Sequence, residues 1–171
     1  LKKSLVLTGM MGVGKSTIGR LLAKKLNTKF IDVDKLIERK ERKSVKKIFQ
    51  FNGEAYFRKI EEKITLKLLK NNKSVIALGG GAFINNTIRK EVLKNSCSIW
   101  LNVKIETLIK RYRKNNRRPL IKAQNLEKDV KKIYFSRKKI YAYANYKLNC
   151  DNIEKNKIVV DALRLYEKNC N

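Results

Sequence analysis

The chain has 171 residues, with 42 Lys+Arg against 15 Asp+Glu, a formal net charge of +27 and no histidine. A length of 171 residues fits a single domain spanning 1–171, and 43% hydrophobic residues suffices for a core, which excludes a wholly disordered chain. The lack of histidine excludes Ser-His-Asp triads, histidine general bases and histidine metal sites.

Ser4–Thr8 is predicted as a short buried strand, running into a glycine loop over Gly9–Gly14. Lys15–Leu26 follows as a helix with Ile18, Leu21, Leu22 and Leu26 on one face. Phe30–Asp34 reads as a second strand ending in carboxylates, and Ser44–Phe51 and Glu54–Leu69 as helical stretches. Ser74–Leu78 is a third strand that leads into Gly79-Gly80-Gly81. A helix over Asn86–Lys94, a strand over Ser98–Leu101 and a helix over Ile105–Lys114 come next. After an arginine-rich polar stretch, Asn115–Gln124, the pattern gives a long helix over Leu126–Tyr143, a candidate edge strand over Tyr146–Asn149 and a closing helix over Glu154–Lys168. Strands alternating with helices predict an α/β fold with a parallel sheet.

Cys97, Cys150 and Cys170 stand far apart with no CxxC, so neither a disulfide framework nor a zinc site is expected. A reduced, cytoplasmic setting fits that usage. No apolar run approaches the roughly 20 residues that span a bilayer, and the first residues lack the apolar core and cleavage site of a signal peptide.

The scarce residues mark the chemistry. Six of the eight glycines fall in two clusters, Gly9–Gly14 and Gly79–Gly81. The segment from Gly9 to Ser16 fits G-x-x-x-x-G-K-[ST] between a strand and a helix, the context of a phosphate-binding loop. Backbone amides of Gly12, Val13, Gly14, Lys15, Ser16 and Thr17 can converge on phosphate oxygens at a helix N-terminus. Lys15 then reaches the β/γ-phosphates and Ser16 ligates Mg²⁺. Asp32 and Asp34, two apart on a strand, share a face and project into one cleft, Asp32 toward the metal and Asp34 toward an acceptor hydroxyl. The bland alternative is a solvated turn with a helix N-cap at Asp34. The triple glycine exposes backbone N–H groups to a small polar ligand, or is merely a flexible turn. Arg58 has Glu61 and Glu62 at i+3 and i+4, which on its own reads as surface ion pairing. Arg111, Arg117, Arg118 and Arg137 crowd the segment around the single proline, Pro119, and the helix after it. Arginine is suited to planar, bidentate recognition of carboxylate or phosphate, whereas Arg113 and Arg117 also fit a solvated basic face.

Six motifs in this order closely resemble the shikimate kinase family: GMMGVGKST at 9–17, DVD at 32–34, GEAYFRKIEE at 53–62, LGGGA at 78–82, RRPLI at 117–121 and SRKKIY at 136–141. The resemblance spans essentially the whole chain. It implies a five-stranded parallel sheet of order 2-3-1-4-5 flanked by helices, with a mobile lid about 115–124 and substrate-binding helices about 34–62. It implies phosphorylation of the 3-hydroxyl of shikimate by ATP, in chorismate and aromatic amino acid biosynthesis, by a cytoplasmic monomer. In that scheme 12–17 bind the ATP phosphates, Ser16 holds Mg²⁺ with Asp32 behind it, and Asp34 contacts the substrate hydroxyls. Arg58 and Arg137 clamp the shikimate carboxylate, and Gly80 and Gly81 offer backbone contacts. Arg118 is the lid arginine that reaches the ATP phosphates, and Arg111 stacks on adenine. Catalysis falls to Lys15, Asp34 and Arg118.

The chain departs from the family pattern at Leu78, at the missing proline between Arg137 and Tyr141, and in the doubled arginine Arg117-Arg118. None of these removes a required group. A gluconate or nucleoside monophosphate kinase shares the phosphate loop but lacks the joint set of Asp34, Arg58, triple glycine and Arg137. A basic nucleic-acid-binding protein would use the +27 charge, yet the lysines run along the whole chain with no RNA-binding motif or aromatic stacking pattern.

Overall fold

The computed structural model describes residues 1–71, 73–113 and 125–170. Five parallel strands form one sheet, in spatial order β2-β3-β1-β4-β5. They are β1 (Ser4–Thr8), β2 (Phe30–Asp32), β3 (Val75–Ala77), β4 (Ser96–Asn102) and β5 (Tyr146–Asn149). The helices are α1 (Lys15–Lys25), α2 (Val33–Glu41), α3 (Val45–Asn71), α4 (Asn86–Asn95), α5 (Ile105–Arg113), α6 (Leu126–Tyr141) and α7 (Lys155–Asn169), with a short 3₁₀ turn at Ala82–Ile84.

β1 is central because all five of its residues can be buried on both faces. It pairs with β3 through Leu5–Val75 and Leu7–Ala77, and with β4 through Leu5–Cys97 and Leu7–Ile99. β2 and β5 lie at the edges, and β5 alternates half-buried and exposed residues as an edge strand should. Helices cover both faces, and Leu5, Leu7, Leu22, Ile76, Ile88 and Ile99 are among the fully buried side chains. α7 docks through Tyr166, whose hydroxyl donates to Lys3 O at 2.7 Å.

Three expectations need correction. The second strand ends at Asp32, not Asp34, because Asp32 caps a helix: its Oδ1 accepts from Lys35 N at 3.2 Å. The residue pattern alone gave no helix over α2, although the family resemblance placed helices about 34–62. Gly53 does interrupt the next helical run as the two predicted stretches imply, with φ 80° and ψ 168° inside α3. Finally, Cys97 and Cys170 form a disulfide with Cα atoms 5.8 Å apart, although no disulfide was expected. The α/β topology brings the start of β4 to the end of α7 across 73 residues of sequence, a proximity that spacing alone does not reveal. Cys150 stays free and buried, and burial followed by the neighbouring Asp151 carboxylate pushes its thiol up to about 12. Among the described residues no helix is long and apolar enough to cross a membrane.

Candidate active site

The strands deliver their loops to one edge of the sheet, the carboxyl edge, where open α/β sheets hold ligands. β1 ends in the glycine loop, β2 in Asp32, and β3 in Gly79–Gly81. The loop carries positive φ at Gly9 (133°), Gly12 (76°) and Gly14 (105°), which turns the chain sharply before α1 begins. Lys15 is buried and folds over this loop, donating to Gly9 O at 2.8 Å and Met10 O at 2.9 Å. Tyr112 from α5 donates to Met11 O and packs on Gly12, where a Cβ would lie 2.9 Å from the ring. Arg111 donates to Gly12 O and Val13 O, each at 3.3 Å. Thus α5 buttresses the loop from outside.

Ser16 Oγ donates to Asp32 Oδ2 at 2.5 Å. Asp34 sits two residues on, in the first turn of α2. The strand argument for these two carboxylates therefore fails in its geometry, but the helix cap brings both to the same cleft of about 610 Å³, with Lys15 and Ser16.

A second cleft, of about 420 Å³, adjoins the first. Arg58, Arg137, Glu61, Phe49 and Phe57 line it, and Met11, Asp34 and Gly80 line both clefts. Gly53 breaks α3 between Phe49 and Phe57, and the two rings meet in the lining of this cleft with centres 4.8 Å apart and planes tilted by 46°. The Arg58 guanidinium lies 5.2 Å from the Phe57 ring centre. Arg58 does pair with Glu61, at 2.6 Å, and with Glu54, at 3.0 Å. This is not the surface pairing that the spacing alone implies, because the Glu61 side chain is 1% exposed. Glu62 turns away and accepts from Asn85 Nδ2 at 2.6 Å. Arg137 from α6 donates to Gly80 O at 3.0 Å, and Tyr141, one turn later, donates to the same carbonyl.

The triple glycine is what lets these groups converge. A Cβ on Gly79 would lie 2.4 Å from Glu61 Oε1 and 2.6 Å from Asp34 Oδ1, and one on Gly81 would lie 2.6 Å from Arg58 Nη1. Side chains therefore fill the space that glycine leaves, beyond the backbone exposure expected from sequence. Of the residues singled out by sequence, Lys15, Ser16, Asp32, Asp34, Arg58, Gly80, Gly81 and Arg137 come together across the two clefts. Arg111 stands behind the glycine loop. Arg117, Arg118 and the expected lid lie outside the described residues. Sequence reasoning missed Phe49, Phe57 and Tyr141 as site residues; the eight-residue spacing of the two phenylalanines across Gly53 was the available signal.

The shikimate kinase family model matches residues 11–166. A shikimate kinase of Bartonella henselae is 40% identical over 162 residues, which is 95% of this chain and 77% of that protein. Another, of Sulfurihydrogenibium sp., is 40% identical over 161 residues, covering 94% of this chain and 96% of its own. The structure of a shikimate kinase from Acinetobacter baumannii in complex with shikimate superposes with a TM-score of 0.93 at 29% identity, over 98% of this chain and 94% of that one. A gluconokinase from Sinorhizobium meliloti 1021 reaches 0.60 at 14% identity, a likeness of fold alone. With the family model covering most of its length and relatives 40% identical over at least 94% of it, the chain belongs to the shikimate kinase family and is a P-loop kinase of the shikimate pathway.

Proposed function

We propose that the chain transfers the γ-phosphoryl group of ATP to the 3-hydroxyl of shikimate, giving ADP and shikimate 3-phosphate. The observation that carries this reading is the position of Asp34. It lines both the cleft of the phosphate loop and the cleft that holds Arg58 and Arg137. A carboxylate at that junction can accept the proton of a hydroxyl whose oxygen faces a γ-phosphate.

In this scheme residues 12–17 bind the phosphates, and Lys15 exchanges its two loop carbonyls for phosphate oxygens. Arg58 and Arg137 hold the substrate carboxylate, Gly80 and Gly81 contact its ring hydroxyls, and Asp34 orients the nucleophile. Arg111 stacks on adenine, and Arg118 reaches the phosphates from a lid about 115–124. Ser16 and Asp32 offer a hydroxyl and a carboxylate in contact, hard oxygen donors that fit Mg²⁺. Among the described residues no cluster of three or more acidic, Cys or His ligands surrounds them, which suits an ion held largely by phosphates and water. When bound, Mg²⁺ neutralises phosphate charge; the residues around it position and orient. Both clefts are built from one chain, which supports a monomer, and the use of ATP supports a cytoplasmic setting even though the Cys97–Cys170 disulfide is unusual in a reducing compartment.

A coupled ADP-release assay with shikimate, gluconate and CMP as acceptors tests the reading. Turnover with shikimate alone is expected; preference for gluconate or CMP would replace it.

A further inference from the structure

Glu61 shares the substrate cleft with Asp34 and Arg58, yet the scheme above leaves it without a task. Its Oε2 accepts from Arg58 Nη1 at 2.6 Å. Its Oε1 is buried and, among the described residues, has no hydrogen-bond partner. Oε1 and Asp34 Oδ1 lie 2.4 and 2.6 Å from the same point, the position of an absent Gly79 Cβ, so the two oxygens face each other across the glycine at most about 5 Å apart. An acceptor kept from water and from any donor is costly in its charged form.

We propose that Glu61 takes up a proton when the substrate carboxylate enters the Arg58–Arg137 clamp, which makes substrate binding a proton-coupled step. The inference rests on shikimate being the substrate. In the free protein Arg58 divides its charge between Glu61 and Glu54 on its own helix. Asp34 on α2 opposes ionisation of Glu61, whereas Arg137 on α6 favours it; Tyr141, also on α6, is a neutral neighbour with its hydroxyl on Gly80 O. Burial pushes the Glu61 carboxyl up to about 7, with Arg58 pulling the other way, which brings its neutral form within reach near neutral pH. An incoming carboxylate draws on the same two guanidinium groups, adds a negative charge and excludes water. All three effects favour the neutral acid. A proton on Oε1 also turns that acceptor into a donor facing Asp34. The proton comes from solvent, and nothing is oxidised or reduced.

Isothermal titration of the full chain with shikimate, at each pH in two buffers that hold that pH but differ in ionisation enthalpy (Pipes and imidazole at pH 7, acetate and piperazine at pH 5), reads the proton directly. At pH 7 the apparent enthalpies should differ by the heat of a fraction of a proton taken up per shikimate bound, and the difference should shrink towards zero at pH 5, where Glu61 already holds its proton. Glu61→Gln should bind shikimate with the same heat in both buffers. Equal heats for the wild-type chain at pH 7 overturn the proposal, as does a buffer difference that persists in Glu61→Gln or fails to shrink at pH 5. The pH series needs only the wild-type protein, so it decides the matter even where the variant fails to fold. Shikimate that neither binds nor is phosphorylated would overturn the functional reading itself, whereas binding without proton uptake overturns the proton coupling alone.

Discussion

Arg58 and Arg137 face one cleft from different helices, α3 and α6. Losing a charge-assisted contact to a carboxylate costs about 1.5–3 kcal/mol, so Arg58→Ala and Arg137→Ala should each raise the KM for shikimate roughly ten- to a hundredfold. Steady-state assays varying each substrate in turn check this, and an equal rise in the KM for ATP would move these arginines to the nucleotide side. Glu61 makes a separate prediction about stability. Its carboxyl is held up at about 7 against an ordinary 4.5. Below about pH 4.5 the folded and unfolded chains both hold the proton; between 4.5 and 7 only the folded chain does. Its contribution to stability is therefore full below the unfolded value and is lost as pH rises through 7, by an amount on the order of 3 kcal/mol. Thermal melts at pH 5 and pH 8 should show a smaller loss of Tm over that interval for Glu61→Gln than for the wild type, since every other titrating group is common to both. A sequence shows the i,i+3 spacing of Arg58 and Glu61 but not the burial, which depends on α2 and the glycines after β3 packing against the pair from elsewhere in the chain.

At the scale of elements, local signals were the legible ones. β1, the glycine loop and α1 follow from a buried apolar run, a left-handed Gly14 and the helix N-terminus after it, all within 25 residues. β5 was legible to the residue. The start of α2 was legible only through the resemblance, because Asp32-Val33-Asp34 alternates like a strand and the bond from Lys35 N to Asp32 puts the cap two residues before Asp34. Gly53 was legible as an interruption, and its conformation gives a test. At φ 80° and ψ 168° an L side chain is strained, although a Cβ there would meet nothing within 4 Å. Gly53→Ala should therefore cost about 1–3 kcal/mol through backbone strain alone. Relief by straightening α3 would pull Phe49 away from Phe57, so the KM for shikimate should rise while that for ATP holds. Denaturant unfolding and the two KM values measure both effects; an unchanged midpoint would mean that the break tolerates a side chain.

Across the whole molecule, the sheet order was legible only through the six motifs and their family, because pairing between strands as distant as β1 and β4 leaves no mark in local pattern. The disulfide was illegible for the same reason. A cross-link spanning 73 residues removes enough freedom from the unfolded chain to stabilise by about 4 kcal/mol. Cys170→Ser, or reduction with a phosphine, should then lower Tm by roughly 10 °C, read by differential scanning calorimetry. The same bond makes a covalent ring of everything from Cys97 to Cys170, which takes in α5, α6, β5 and α7. A protease that cuts once anywhere inside that ring cannot release a fragment: the cleaved enzyme migrates as one species until reductant separates it into two, and its two halves stay tethered at the sheet while they are apart in sequence.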